Sequence, residues 1–120
     1  MTKILLKRAY AEPSAADGYR VLVDRLWPRG QSKIKLQLEQ WAKSIAPSTD
    51  LRKGWDHDED RFEEFATYYH KELNQNPAVD EFLEVLDQHP VVTLVFGAKN
   101  EQINHAVVLR DYLLEQLTGS

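Results

Sequence analysis

The chain has 120 residues, 42% of them hydrophobic, which suits one compact domain over residues 1–120 with a single core. It contains no cysteine, which excludes disulfides, thiolate metal sites and a cysteine nucleophile. Its net charge of −4 gives no overall field that would attract nucleic acid. There is no apolar run long enough to span a bilayer and no signal peptide, so we expect a cytoplasmic protein without a membrane partner.

The first predicted element is a strand over residues 3–9, an apolar run with a cation near each end. Residues 11–18, which include Pro13 and Gly18, form a loop with room for little more than one helical turn. Taken alone, so short a spacing suits a hairpin better than a parallel crossover, which usually needs a dozen or more residues.

A second strand is predicted over residues 19–26, because both of its faces are apolar: Val21, Val23 and Trp27 on one side, Leu22 and Leu26 on the other. Pro28 and Gly30 end it. Asp24 and Arg25 interrupt the run near its end. Since a buried charge costs several kcal/mol unless it is paired, these two side chains are expected to have partners, a function, or both.

Residues 32–48 fit two patterns. Alternation of Ile34, Leu36 and Leu38 with polar residues favours a strand over 34–41, whereas Ile34, Leu38, Trp41, Ala42 and Ile45 also fit one helical face. Thr49 or Asp50 is then expected to cap a short helix through Trp55.

The remaining elements are predicted from clearer patterns. Apolar stripes predict helices over 58–74 and 77–88, and a β-branched run predicts a buried strand over 91–96. A last helix is expected from Glu101 to about Leu117, with Asn100 as its N-cap. Arg110 falls within the apolar arc of this helix, so we expect its guanidinium to lie within hydrogen-bonding reach of Asp24, behind the site.

Several motifs together resemble the YeaO-like branch of the bacterial "domain of unknown function 488" proteins, over essentially the whole chain. They are Gly18 to Gly30, Ala46-Pro47-Ser48 with Leu51-Arg52, Thr93-Leu94, Ala98-Lys99-Asn100 and Asn104-His105-Ala106. The resemblance implies a small α/β domain with a mostly parallel sheet of about four strands flanked by helices, and it brings no established activity. It also implies parallel pairing of the first two strands, which overrides the hairpin interpretation.

This sequence departs from the wider family at two places. Related branches have a Cys-His-Arg triplet at the positions of Asn104-His105-Ala106, so thiol chemistry does not carry over to this chain. The usual tyrosine before the Ala98-Lys99 loop is Phe96 here, which removes any role for a hydroxyl group at that position.

The carboxyl ends of parallel strands share one sheet edge, where open α/β sheets bind ligands. We expect this edge to form a cationic cleft for a small anion, with nucleotide-like compounds among the candidates. Asp24 is the candidate nucleophile, base or residue that orients a cation, and His105 is the candidate for proton transfer, because a helix N-terminus favours a neutral imidazole. The remaining side chains assigned to this edge are Arg8, Tyr10, Arg25, Arg29, Lys99, Asn100 and Asn104, with Arg25, Arg29 and Lys99 holding the anion.

Other interpretations remain open. The charges at this edge could form an ion-pair network that only stabilises the fold. A nucleic-acid-binding module would use the same cations with an exposed tryptophan, although three tryptophans in so small a core favour packing. The helices over 58–74 and 77–88 could bind a partner protein. Residues 56–60 include the residue types that bind metals, but their spacing does not define a metal site. Helix capping and favourable charges at a helix N-terminus account for these residues, and no metal or cofactor is expected.

Overall fold

Four short strands form one sheet in the computed structural model, which describes residues 2–119. The strands are β1 (Lys3–Arg8), β2 (Tyr19–Leu22), β3 (Gln40–Trp41) and β4 (Val91–Phe96), and every pair is parallel. Helices flank this sheet, so the predicted α/β fold with about four parallel strands is confirmed.

The sheet order is β1-β4-β2-β3, with β4 at the centre. Residues 92–96 of β4 are all buried, as expected for an apolar run that is covered on both faces. The expected pairing of the first two strands is wrong, because β4 lies between β1 and β2 and pairs with both. The lysines of β1, Lys3 and Lys7, suit an edge position, where charge discourages pairing with another chain.

One face of the sheet carries the main core and four helices. These are α2 (Thr49–Trp55), α3 (Phe62–Asn74), α4 (Ala78–Asp87) and α5 (His105–Leu117). The helices predicted over 58–74 and 77–88 are confirmed, with a single 3-10 turn at Glu59–Arg61 before α3. Their apolar stripes, which include Phe65, Tyr69 and Leu73 in α3, pack against β2 and β4. Within residues 2–119 no helix is both long and apolar enough to cross a membrane.

The strand expected over 34–41 is largely wrong. Residues Lys33–Leu36 form a helical turn, α1, and only Gln40–Trp41 pair with β2. Ser32 caps this turn by accepting from the N–H of Lys35, and Gln37 ends it with a positive φ of 48°. Ile34 is 84% exposed, whereas Leu36 is fully buried on the second face of the sheet beside Leu22 and Val95.

A buried ion pair holds α1 against that second face. Arg20 donates to Asp17 at 2.7 Å, and its Nε and a terminal nitrogen both donate to the carbonyl of Leu36. Burial opposes ionisation of Asp17, but hydrogen bonds from Lys7, the Ser14 N–H and Arg20 outweigh it and lower the pKa of this carboxyl. Sequence reasoning missed this group because the three charges come from different elements.

The last helix begins four residues later than predicted. Asn104, not Asn100, caps α5, since its side-chain oxygen accepts from the N–H of Val107 at 3.0 Å. The Asn100 side chain instead accepts from the N–H groups of Gln102 and Ile103, which closes a separate turn. His105 is therefore the first residue of α5.

Candidate functional site

A cavity of about 380 Å³ lies at the carboxyl ends of β2 and β4, beside the first turn of α5. Four residues that were assigned to this edge, Tyr10, Asp24, Arg29 and His105, line it. The other lining residues belong to the loop after β2, the α2 region, α3 and the loop after β4: Leu26, Trp27, Pro28, Pro47, Arg52, Trp55, His57, Phe65, Gly97 and Ala98.

A larger groove of about 550 Å³ lies between α2 and α3. Four of its five charged side chains already have partners: Arg61 pairs with Glu64 at 3.4 Å, Glu72 accepts from both the N–H and the hydroxyl of Ser48, and the Lys71 ammonium lies 5.4 Å from the ring centroid of Tyr68. Because ligand recognition needs convergent polar groups that are free to bind, we assign the site to the smaller cavity.

Asp24 is fixed at the inner wall of this cavity. Its Oδ2 accepts a hydrogen bond from the N–H of Gly97 at 2.9 Å. Its Oδ1 lies 2.8 Å from Nε2 of His105, which is within ion-pair distance. Both of these atoms are buried, and neither makes a hydrogen bond within residues 2–119. The carboxylate therefore faces an imidazole rather than a guanidinium.

The expected contact between Arg110 and Asp24 is wrong. Arg110 is partly exposed, and its Nε donates to Asp111, the next residue of α5, at 3.0 Å. The buried face of α5 differs from the predicted arc, because Val108 and Tyr112 are buried whereas Leu114 and Leu117 are exposed. Arg110 therefore lies at the margin of the buried face, where a long side chain can carry its charge to solvent. His105, five residues earlier on the same helix, takes the position beside Asp24.

Arg25 does not line the cavity, although it follows Asp24 directly. Its guanidinium donates to the carbonyl oxygens of Pro47 at 2.9 Å and Ala46 at 3.1 Å. The hydroxyl of Tyr69 donates to the adjacent carbonyl of Ile45, and burial, with Glu72 and Asp24 nearby, raises the pKa of Tyr69 so that this proton is kept. Arg25 and Tyr69 therefore fix the segment that leads into α2.

Arg52 is the cation that sequence reasoning left without a role. It lies on α2, whose first turn is capped by the Ser48 hydroxyl, one helical turn before Trp55. Its Nε is buried and has no hydrogen-bond partner in the part of the chain that the structure describes. In the sequence, Arg52 stands out only as part of the family motif. The periodicity of the apolar residues does not show that α2 reaches the edge of the sheet, so it could not place Arg52 at the cavity.

His57 is the second missed residue. It follows α2 in a turn where both Asp56 and His57 have positive φ, 49° and 58°. The turn is held by hydrogen bonds in both directions between Trp55 and Asp58, and the His57 ring lies 5.2 Å from the Trp55 indole. Capping does explain Asp58, which accepts from the N–H of Asp60. It does not explain His57, which lines the cavity.

Four other predicted residues lie outside the cavity lining. Arg8 donates to the carbonyl of Ala98 and lies over the ring of Tyr10, and the side chain of Lys99 is exposed. Asn100 and Asn104 serve the turn and the cap described above, and Asn104 is fully buried. These two amides therefore shape the loop between β4 and α5.

The resulting cavity combines fixed positive charge with an apolar lining. Arg29 and Arg52 contribute the guanidinium groups, and Asp24 is the single carboxylate among the lining side chains. Of the three tryptophans, Trp55 is buried in the main core, and Trp27 and Trp41 pack edge to face beside Leu22. Among residues 2–119, no three His, Asp or Glu side chains are grouped closely enough to hold a metal ion.

Comparison with known proteins places this chain in a family. A family model described as "Inactive DUF488-N3 subclade" matches residues 3–120. The uncharacterized protein YeaO of Escherichia coli K12 is 43% identical over 110 residues, covering 92% of this chain and 96% of YeaO. The uncharacterized proteins Rv3073c of Mycobacterium tuberculosis H37Rv and Mb3100c of Mycobacterium bovis are each 39% identical over 112 residues, covering 93% of this chain and 94% of theirs. No solved structure matches significantly. The chain is therefore a member of the inactive DUF488-N3 subclade, within the YeaO-like DUF488 proteins.

Proposed function

We propose that this protein binds a small anion, with nucleotide-like compounds among the candidates, in the cavity between the 24–29 segment and α2. Arg29 and Arg52 supply the positive charge, and His57 and His105 supply polar ring nitrogens. Of the three cations predicted to hold the anion, Arg29 lines the cavity, whereas Arg25 donates to the carbonyls of the 46–47 segment before α2 and Lys99 is exposed outside the lining.

The observation that carries the proposal is the state of Arg52. A buried guanidinium N–H without an acceptor loses the free energy of a charge-assisted hydrogen bond, about 2 kcal/mol. Arg52 Nε has no such acceptor within residues 2–119, although the side chain lines a cavity large enough for a ligand. An anionic oxygen bound there would satisfy this donor, which makes the arrangement more consistent with a binding site than with a finished ion-pair network.

The test is calorimetric titration of inorganic phosphate and methyl phosphate into the wild type and two variants. Arg52→Gln should weaken binding about 30-fold, the equivalent of about 2 kcal/mol. Lys53→Gln is the matched control, since it removes the same charge from the neighbouring, exposed position of α2. Equal weakening in both variants, or no binding of either anion by the wild type at millimolar concentration, would reject the proposal.

A second candidate function is proton transfer, favoured by the 2.8 Å contact between Asp24 and His105. A carboxylate at this distance would stabilise the imidazolium that forms when Nδ1 of His105 accepts a proton, so Nδ1 is the candidate base. The subclade's description as inactive argues for binding without turnover, so binding is the primary proposal. Turnover of p-nitrophenyl esters that is lost in both Asp24→Asn and His105→Gln, but kept in Lys99→Gln, would favour catalysis.

Nucleic acid remains an alternative ligand for the same cations. Neutralising several phosphates would make affinity rise steeply as salt falls. Titration with a short single-stranded oligonucleotide at two salt concentrations tests this. Affinity for the oligonucleotide that falls with salt and is lost in Arg29→Ala would favour nucleic acid over a small anion.

A further inference from the structure

We infer that the bound anion also carries an apolar group about the size of an aromatic ring, which packs on Tyr10 and Leu26 at the mouth of the cavity. The anionic group is directed inward to Arg52. This inference rests on the proposed anion site and names the class of ligand: an amphipathic organic anion rather than an inorganic one.

The first support is exposed apolar surface at the cavity. Tyr10 is 45% exposed and Leu26 is 60% exposed, and both line it. Large exposed apolar side chains scattered over a surface need no explanation, but two at the rim of one cavity mark a contact surface for a ligand. Trp27 and Pro28 extend the same apolar wall towards the inside.

The second support is that the exposed ring of Tyr10 is fixed in place. Its hydroxyl donates to the carbonyl of Arg29 at 3.1 Å, and the Arg8 guanidinium carbon lies 5.2 Å from the ring centroid. Both contacts lie within the range of real hydrogen-bond and cation–π interactions. A ring held in this way is a preorganised surface, because little side-chain entropy remains to be lost on binding.

The third support is the change of polarity with depth. Arg52, Asp24 and His105, each of which has a buried side-chain atom without a hydrogen bond in the described residues, line the cavity, whereas the lining residues Tyr10 and Leu26 are open to solvent. At about 380 Å³, the cavity falls within the range of small-molecule sites, roughly 300–1,000 Å³. An inorganic anion would contact the inner cation and leave the apolar rim uncovered.

The experiment compares anions that share a charged group and differ in the apolar part. Methyl phosphate and phenyl phosphate form one pair, and acetate and benzoate form the other. We expect the wild type to bind the ring-bearing anion of at least one pair roughly tenfold more tightly, because burial of half a ring removes enough apolar surface for that difference. Tyr10→Ser should abolish most of this preference, which is measured within each variant as the ratio of the two affinities of a pair.

The chain offers close controls for both rim residues. Tyr68 is 51% exposed, lies under the Lys71 ammonium at 5.4 Å, and lines the separate α2–α3 groove. Tyr68→Ser should therefore leave the preference unchanged. Leu26→Ser should reduce the preference, whereas Ile34→Ser, at another exposed aliphatic position, should not.

Each outcome decides the inference. If the anions bind through Arg52 but the ring-bearing anions bind no more tightly than the small ones, the inference is overturned and the anion site stands. If Tyr10→Ser and Tyr68→Ser change the preference equally, the rim contact is wrong. If none of the four anions binds at millimolar concentration, the anion site and the inference are both overturned.

Discussion

The N–H of Gly97 donates a hydrogen bond to Oδ2 of Asp24 at 2.9 Å, which joins the end of β4 to the segment that follows β2. A Cβ atom at position 97 would lie 2.9 Å from that same oxygen, closer than real Cβ atoms approach. The absence of a side chain at Gly97 therefore lets the carboxylate reach both this N–H and His105.

The first prediction concerns this close approach. Gly97→Ala should displace the Asp24 carboxylate and lower the free energy of unfolding by about 1–2 kcal/mol, measured by urea denaturation. Gly54→Ala is the control, because a Cβ atom there meets no neighbouring atom and the position lies within α2. The control should raise stability by about 0.5–1 kcal/mol. A Gly97→Ala variant as stable as the wild type would show that the carboxylate position is not constrained.

The second prediction concerns the buried Asp17 carboxylate and acid. Its pKa is lowered in the folded state, so its contribution to stability is complete above the unfolded value of 3.8 and declines as pH falls through the folded value. Asp17→Asn should cost about 3 kcal/mol at neutral pH, because Arg20 is left buried without its counter-charge. The cost should shrink as the wild type is acidified towards pH 3.

Urea denaturation at a series of pH values measures this effect. Asp87→Asn serves as the control, since Asp87 is exposed at the end of α4. Its cost should stay within about 0.5 kcal/mol at every pH. An Asp17→Asn variant that loses the same free energy of unfolding at pH 7 and pH 3 would contradict the assignment of the lowered pKa to this ion pair.

The third prediction follows from the corrected position of Arg110. Its pair with Asp111 is a surface contact, so Arg110→Gln should change the free energy of unfolding by less than about 1 kcal/mol and leave anion affinity unaltered. Thermal denaturation and the phosphate titration measure the two effects. A large loss of anion affinity would restore the link to Asp24 that the sequence suggested.

Sequence patterns predicted that Asp24 and His105 lie together better than they predicted where the neighbouring side chains point. The buried run of β4 and the charges after β2 place Asp24 and His105 at one edge of a parallel sheet, and the structure brings them together. The direction of Arg25 could not be predicted, because the acceptors at Ala46 and Pro47 lie more than twenty residues away in the sequence. The same limit hid Arg52, since no local pattern shows where a short helix packs.

The errors in secondary structure have a related cause. Residues 34–38 alternate like a strand, but capping by Ser32 and the Arg20 bonds to the Leu36 carbonyl stabilise a helical turn. Tertiary contacts therefore override the pattern. Before α5, Asn100 and Asn104 are both residue types that can cap a helix. In the structure the Asn100 side chain closes a separate turn by accepting from the N–H of Ile103, and Asn104 caps the helix by accepting from the N–H of Val107.

The last prediction concerns the strained turn after α2. Asp56 and His57 both have positive φ, a conformation that glycine adopts without the steric cost of a side chain. Asp56→Gly and His57→Gly should each raise the free energy of unfolding by roughly 0.5–1 kcal/mol, measured by urea denaturation. Only His57 lines the cavity, so only His57→Gly should also weaken phosphate binding, by about threefold to tenfold. Asp56→Gly controls for altered flexibility of the turn, because it relieves strain at the adjacent exposed position. Equal anion affinity in the two variants would remove His57 from the proposed site.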